Sequence, residues 1–157
     1  MWLDEKQFEA VVAATPLVSI DLVIRDSSKK VLLGQRTNRP AKDFWFVPGG
    51  RIMKNESIST AFSRLLHVEL GLTDYSIDAG KFLGVYQHFY SDSVFGNSPS
   101  THYVVLGFEL VFGNLDIREM PLQQHQGYKW FSVSDLVAMD DVHQHTKDYF
   151  CNSVCYQ

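Results

Sequence analysis

The chain has 157 residues, of which 45% are hydrophobic and 20% charged, and its formal net charge is −4. These values predict one soluble domain over residues 1–157, and the acidic balance disfavours a general binder of nucleic acids or anionic membranes. The opening MWLDEKQFEA does not read as a secretory signal, and no apolar run reaches the ~18 residues of a membrane span. With only two cysteines, Cys151 and Cys155, we expect a reducing, cytoplasmic compartment.

The first part of the chain predicts one short helix followed by three strands. Asp4 and Gln7 stand three residues apart in front of FEAVVAA, which is the spacing of a capping box that opens a helix. PLVSIDLVIRD and KVLLGQR are β-rich runs joined by polar SSK, and this pattern favours a hairpin or a close pair. WFVPGG is expected to be a short strand that ends in a glycine turn.

The second part predicts a central helix, three more strands and a C-terminal helix. Ser57 can cap a helix from about Ile58 to Leu70, and Gly71 stands where a left-handed residue often ends one. KFLGVYQHFY and HYVVLGFELVF are predicted strands, YKWF is a last short strand, and a helix follows from about Ser134. Strands with interspersed helices indicate a mixed α/β or α+β sandwich in one domain.

A single carboxylate interrupts the apolar face of the central helix. At about 100° per residue, Phe62, Leu65 and Glu69 all fall within ~40° of Ile58, so Glu69 lies at the centre of the apolar stripe. It also stands in the last turn, where the helix dipole disfavours negative charge. Either the helix overhangs the edge of the core and Glu69 reaches water, or Glu69 binds a cation. Carboxylate, carbonyl and phosphate oxygens suit Mg²⁺.

The stretch GGRIMKNESISTAFSRLLHVELGL resembles the Nudix box, G-x5-E-x7-R-E-U-x-E-E-x-G-U, in which U is aliphatic. The matching positions are Gly50, Glu56, Arg64, Leu66, Glu69, Gly71 and Leu72. Leu65 and Val68 stand where two metal-binding acids of that family are expected. The resemblance implies a Nudix-type α/β/α sandwich with a mixed β-sheet, and a helix that has lost most of its acidic cluster.

Segments outside the box resemble one branch of the family, the GDP-mannose mannosyl hydrolases. They are GQRTNRPAKDFWFVPGGRI, GVYQHFY, THYVVLGFEL and QQHQGYKWF, and the resemblance runs from about Trp2 to Phe150. It implies that water attacks the anomeric carbon of GDP-mannose, with GDP-glucose as a second candidate, and releases GDP and the free hexose with inversion. A homodimer that takes a GDP-sugar substrate is also implied.

The same resemblance implies a site for one Mg²⁺ per subunit, with Mn²⁺ as an alternative. The implied ligands are the carboxylate of Glu69, the backbone carbonyl of Gly49 or Gly50, and Gln124. Three arginines are similar to those that neutralise the leaving diphosphate, a task that suits the guanidinium fork. They are Arg36, Arg51 and Arg64. On the residues alone, Gln124 reads as an ordinary loop residue and each arginine as a solvated charge, which is the interpretation we prefer for Arg39.

His125 resembles the general base of that branch, because a neutral imidazole can take a proton from water. We expect a polar loop before YKWF to bring it to the sugar from outside the helix. Asp21, His88 and Tyr103 resemble residues that contact the sugar, and Trp2 is a candidate to stack on the guanine. On the residues alone His125 is a surface histidine, and His88 and Tyr103 are core residues. Asp21, inside apolar LVSIDLVI, is costly unless paired.

Three functions stay open on the sequence. The first is hydrolysis of GDP-mannose at carbon. The second is an ordinary Nudix pyrophosphohydrolase that attacks phosphorus and yields GMP and a sugar phosphate. The third is a nucleotide-sugar sensor without turnover, against which the retention of Glu69, Gln124 and His125 argues. The histidines of HQH and the two cysteines near the C-terminus lack the paired spacing of a zinc site.

Overall fold

A computed structural model of the chain describes residues 2–122 and 125–151, in which four α-helices and seven strands are found. The helices are α1 (Glu5–Ala14), α2 (Ile58–Leu70), α3 (Val133–Ala138) and α4 (Gln144–Lys147). The strands are β1 (Leu17–Arg25), β2 (Val31–Arg36), β3 (Trp45–Phe46), β4 (Gly49–Arg51), β5 (Lys81–Tyr90), β6 (Thr101–Val111) and β7 (His125–Phe131). Within the described ranges, no helix combines the length and the apolar character that crossing a membrane requires.

All seven strands belong to one mixed sheet, whose main path runs β3-β2-β1-β6-β5. β1 and β6 are parallel along their length, whereas the other pairings are antiparallel. β1 pairs with β2 only where Arg25 meets Val31, which confirms the predicted close pair. The rest of that edge of β1 pairs with β4, and β7 pairs with β2.

Side-chain alternation along β1 divides the core into two layers. Ile20 and Leu22 pack in one buried cluster with Phe62 of α2. Val23 belongs to a second buried cluster with Leu136 of α3. Each fully buried side chain of this size contributes about 1.5–3 kcal/mol, so both layers hold the sheet. Helices therefore cover both faces, and the predicted α/β/α sandwich with a mixed sheet is confirmed.

The predicted helix ends are confirmed by their caps. Asp4 accepts from the backbone N–H of Gln7 (2.8 Å), and the Gln7 side chain accepts from the Asp4 N–H (3.3 Å), which completes the capping box. Ser57 accepts from the N–H of Thr60 (3.1 Å) at the start of α2. Gly71 ends α2 in the left-handed conformation at φ 70°. The box helix is therefore fixed at both ends by residues that the sequence marks.

Two predicted boundaries are wrong. Gly49 and Gly50 lie in strand β4 and not in a turn, because β4 approaches β1 so closely that a Cβ at Gly49 would overlap the carbonyl oxygen of Ile20. β7 begins at His125 and not at YKWF, because His125 pairs with Arg36 of β2. Both corrections bring the residues concerned onto the sheet instead of onto loops.

Replacing Gly71 by alanine should lower the free energy of unfolding by about 1–2 kcal/mol, because an L-residue is strained at its positive φ. Urea unfolding followed by circular dichroism measures the change. Gly113→Ala is the matched control, since a Cβ there would meet no atom within 4 Å, and its effect should stay within about 0.5 kcal/mol. Equal losses in the two variants would contradict the conformational explanation.

Candidate active site

A cavity of about 1030 Å³ lies among α1, α2, β1, β4, β5 and β6, each of which contributes lining residues. It collects eleven of the twelve site residues that the sequence predicts. These are Trp2, Asp21, Arg36, Gly49, Gly50, Arg51, Arg64, Glu69, His88, Tyr103 and His125. The twelfth, Gln124, lies outside the described residues. Residues from both ends of the chain therefore meet around one space.

Glu69 is buried on the inner face of α2, with only 2% of its surface exposed, so the alternative in which it reaches water is wrong. Its Oε2 lies 3.3 Å from Nε2 of His125. Tyr128 donates its hydroxyl to the backbone carbonyl of Glu69 (2.9 Å) and holds the end of the helix. A carboxylate so removed from water is stable as an anion only beside a positive or donating group.

His125 is the first residue of β7 and is also 2% exposed, so its predicted place in a polar loop is wrong. Its ring lies against Gly34 of β2, where a Cβ would come 2.5 Å from Nδ1, so a side chain at position 34 would displace the imidazole. Nδ1 has no hydrogen-bond partner among the described residues. The role of His125 as general base stays a prediction.

The α2 wall of the cavity carries one free box carboxylate. Leu65 and Val68, at the two positions where acids are expected, both line the cavity. Glu56 is engaged elsewhere, because both its oxygens accept from the Arg64 guanidinium at 2.6 and 2.9 Å. That contact lowers the pKa of Glu56 and raises the pKa of Arg64. Glu69 is thus the box acid left to face the cavity without an arginine partner.

The backbone carbonyl of Gly49, and not that of Gly50, points away from β1. In an antiparallel pair, hydrogen-bonded partners alternate with partners that are not bonded to each other. The bonds that flank this region run from Leu22 N to Pro48 O and from Ile52 N to Val18 O, both at 2.8 Å. The pair between them that exchanges bonds is Ile20–Gly50, so Gly49 and Arg51 turn outward. The Arg51 carbonyl accepts from Arg64 of α2 (2.8 Å), so Gly49 faces the same side as that helix.

These oxygen donors fit a single hard cation that keeps water or phosphate ligands. Glu69 supplies one buried carboxylate, and Gly49 supplies an outward carbonyl on the strand beside α2. Mg²⁺ is usually bound by one or two carboxylates together with water and phosphate oxygens. Among residues 2–122 and 125–151, no cluster of three His, Cys, Asp or Glu side chains could hold a metal. The fit therefore depends on ligands from outside the side-chain set, such as a diphosphate.

Asp21, His88 and Tyr103 line the cavity from β1, β5 and β6, and Asp21 lies beside Gly49 in the pairing of β1 with β4. Asp21 Oδ2 accepts from the Tyr149 hydroxyl (2.7 Å) and lies 4.0 Å from His88 Nδ1. Burial raises the pKa of Asp21 to about 7, against the smaller opposing effects of Tyr149 and Arg36. Burial lowers the pKa of His88 to about 3, and it raises the pKa of Tyr103. These residues offer neutral donors and one carboxylate whose charge is sensitive to its surroundings.

Arg36 and Arg51 reach the cavity with their guanidinium groups. Arg36 donates through Nε to the Pro40 carbonyl (3.0 Å), and Arg51 lies 4.3 Å from the centre of the Phe8 ring in α1. Trp2 stands at the rim with 84% of its surface exposed. Two further contacts concern Arg39, which donates to the side chain of Asn97 at 2.7 Å and lies 3.7 Å from Asp92. Arg39 also lines the cavity, and its interpretation as a surface charge stays a prediction.

Sequence reasoning missed the contribution of α4 and of the turn that follows it. Tyr149 reaches Asp21, and His145 stacks on His88 with ring centroids 4.3 Å apart. The one available signal was Gly107 inside a strand pattern, because such a glycine often marks the close approach of another group. A Cβ at Gly107 would come 2.9 Å from Cε1 of Tyr149. No local pattern identifies that partner.

A family model for the NUDIX domain matches residues 15–152. The chain belongs to the Nudix family. A curated relative, the low-salt glycan biosynthesis protein Agl8 of Haloferax volcanii, is 43% identical over 124 residues, which are 79% of this chain and 76% of that protein.

Solved Nudix structures share the fold. The MutT NUDIX hydrolase of Burkholderia pseudomallei superposes with a TM-score of 0.68 at 21% identity, over 86% of this chain and 95% of that one. The NUDIX domain of Shewanella oneidensis NrtR, solved with ADP ribose, superposes with a TM-score of 0.63 at 20% identity, over 94% and 97%. At such identities the likeness shows the fold alone.

Nudix membership supports a hydrolase that acts on nucleotide derivatives, and Nudix hydrolases generally use a divalent metal such as Mg²⁺. In this Nudix chain residues of the box helix, the arginines and Asp21, His88 and Tyr103 line a common cavity. Arginines and neutral polar groups therefore lie around one space.

Acid should destabilise the fold partly through His143. Burial lowers its pKa to about 4 from 6.5, so between these values the unfolded chain binds a proton that the folded chain does not, and stability falls as the pH drops through that window. In the folded state His143 Nδ1 accepts from the N–H of His145 (3.1 Å) at the N-cap of α4.

His143→Asn keeps a capping side chain, so its stability should fall less than that of the wild type between about pH 6.5 and pH 4. Urea midpoints measured across this window give the comparison. Asp21 acts in the opposite direction, because its pKa is raised, but it is present in both proteins and does not affect the difference. The same pH dependence in both proteins would show that His143 does not contribute.

Proposed function

We propose that this Nudix hydrolase cleaves GDP-mannose at the anomeric carbon and releases GDP and free mannose with inversion. The observation that carries the proposal is the α2 wall, on which Leu65 and Val68 line the cavity and Glu69 is the free box acid. Attack at phosphorus requires carboxylates that hold and deprotonate water beside the metal. Departure of GDP from carbon requires only that the charge developing on the diphosphate is neutralised.

The leaving group would be held by Glu69 and by the cavity arginines. Glu69 and the Gly49 carbonyl would hold one Mg²⁺ or Mn²⁺ per subunit, with Gln124 as the further ligand that the family resemblance implies. The bound ion would supply positive charge to the departing diphosphate. Arg36 and Arg51 line the same cavity and can donate to phosphate oxygens. Arg64, which is held by Glu56, adds its charge from a fixed position.

Asp21, His88 and Tyr103 would hold the sugar, and these three residues are called the sugar wall below. Asp21 can accept from hexose hydroxyls, while His88 and Tyr103 line the cavity beside it. Trp2 at the rim is the candidate to stack on the guanine. Inversion requires water to approach the face of the sugar opposite the leaving GDP, as in inverting glycoside hydrolases.

His125 is the candidate general base, but it would have to leave its present partner. Nε2 lies beside Glu69 and Nδ1 lies against Gly34, so in this conformation neither ring nitrogen can accept a proton from water. Transfer of a proton to His125 therefore requires the imidazole to move away from Glu69.

The name of the relative Agl8 refers to glycan biosynthesis, and this supports a sugar-linked substrate. GDP-glucose is the substrate to compare with GDP-mannose. A homodimer in the cytoplasm is part of the same proposal. A nucleotide-sugar sensor without turnover is the alternative from another functional class.

Hydrolysis in ¹⁸O-labelled water should place the label in the sugar, because water attacks carbon. From the α-linked donor, β-mannose should appear first, and GDP should be the nucleotide product. Mass spectrometry locates the label, and rapid NMR identifies the anomer. Label in phosphate with GMP as product would instead indicate an ordinary pyrophosphohydrolase, and binding of GDP-mannose without any product would indicate the sensor.

Glu69→Gln should lower turnover by more than about 100-fold and should weaken Mg²⁺ binding. Loss of a residue that only supports a metal ligand typically costs about 10- to 100-fold, so a larger loss is expected for a direct ligand. The matched control is Glu56→Gln, which removes a box acid that is held by Arg64 and should lower turnover by about tenfold or less. Metal titration by calorimetry and steady-state turnover measure the two effects. Equal losses in both variants would contradict a site with a single carboxylate.

A further inference from the structure

Tyr149 contacts Asp21 of the sugar wall but does not itself line the cavity. Its hydroxyl donates to Oδ2 of Asp21 at 2.7 Å, and the same oxygen lies 4.0 Å from Nδ1 of His88. Asp21 lies in the middle of β1 and is buried, so few groups can satisfy its carboxylate. Tyr149 supplies the one hydrogen bond between side chains that is described for Asp21. The hydroxyl therefore determines how this carboxylate is turned.

The Tyr149 ring is itself held in place. It lies against Gly107 of β6, where even a Cβ would come 2.9 Å from Cε1, and it packs on Tyr86 with ring centroids 4.5 Å apart. On the same segment, Thr146 is fully buried and accepts from the N–H of Val47 (3.3 Å). The segment is thus anchored at Tyr149 itself and at Thr146 three residues earlier, which limits the movement of the hydroxyl.

The segment touches the sugar wall a second time through His145. Its ring stacks on His88 with centroids 4.3 Å apart and an interplanar angle of 6°, and its Nε2 lies 3.2 Å from the carbonyl oxygen of Phe89. Two residues of the sugar wall, Asp21 and His88, are therefore in contact with Tyr149 and His145, neither of which lines the cavity.

We infer that Tyr149 is a positioning residue for sugar recognition, and that it acts by fixing the Asp21 carboxylate toward the hexose. The inference rests on the proposed function, because it takes the substrate to be a nucleotide diphosphate with a hexose on the Asp21 wall. A hydroxyl whose pKa is raised by burial stays protonated, so Tyr149 acts as a permanent donor and not as an acid or base. Its loss should weaken the sugar contact and leave the nucleotide contacts unchanged.

The test compares Tyr149→Phe with the wild type in the presence of Mg²⁺. A hydrogen bond to a charged group corresponds to roughly a ten- to hundredfold effect, so kcat/KM for GDP-mannose should fall by about that factor. The inhibition constant of GDP, which lacks the sugar, should change by less than about threefold. Tyr75→Phe is the matched control, because it removes a tyrosine hydroxyl from a residue that does not line the cavity, and it should change neither value.

A double-mutant cycle separates positioning from general loosening of the fold. If Tyr149 acts through Asp21, then adding Tyr149→Phe to Asp21→Ala, which removes the acceptor, should lower kcat/KM by less than about threefold further. Gly107→Ala is a second route to the same displacement, since its Cβ would push on the Tyr149 ring, and it should show the same difference between GDP-mannose and GDP. Thermal unfolding of each variant verifies that it folds.

The outcomes distinguish this inference from the proposed function. The positioning role would be overturned if Tyr149→Phe weakened GDP inhibition as much as it lowered kcat/KM for GDP-mannose. It would also be overturned if Tyr149→Phe lowered kcat/KM as much in the Asp21→Ala background as in the wild type. A wild type that binds GDP-mannose no more tightly than GDP would overturn it as well. A wild type that converts GDP-mannose to GMP overturns the proposed attack at carbon, but the comparison of the variants then still tests Tyr149.

Discussion

The close approach of β4 to its neighbours is the constraint on which the site depends. Gly49 leaves no room for a side chain against β1, and a Cβ at Gly50 would come 2.6 Å from Cδ2 of Leu65 in α2. The strand therefore lies in a slot between the sheet and the box helix. Because it lies there, Arg64 can bind the Arg51 carbonyl, and the Gly49 carbonyl faces the helix that carries Glu69. A side chain at Gly49 would meet the backbone of β1, whereas one at Gly50 would meet only the end of the Leu65 side chain.

Burial explains why a single carboxylate can have a large effect. In the apolar face of α2, Glu69 is surrounded by residues that cannot solvate it, and His125 is the one side chain described as bonded to its carboxylate. Interactions between charges are stronger where water is excluded. A cation or an imidazole beside Glu69 therefore gains more than it would at the surface.

The sequence predicts the features whose causes are local. The caps of α1 and α2 follow from residues within a few positions of each other, and the structure has them as predicted. The apolar stripe of α2 places Glu69 on the inner face, but only the structure shows that it is buried. The strand position of His125 does not follow, because it depends on pairing with Arg36 of β2, far away in the chain. The contact between Tyr149 and Asp21 joins opposite ends of the chain in the same way. Period and propensity carry no information about such partners.

This difference separates two groups of residues that line the cavity. Gly49, Gly50, Arg51, Arg64 and Glu69 belong to one continuous stretch, so a motif can describe them and a family can share them. Asp21, His88 and Tyr103, which we propose hold the sugar, come from β1, β5 and β6, and two of them are backed by Tyr149 and His145, so their arrangement depends on packing between distant segments. Changes in those segments can alter which sugar fits without touching the box. We therefore expect leaving-group chemistry to follow the motif, and sugar preference to follow residues such as Tyr149 that no motif contains.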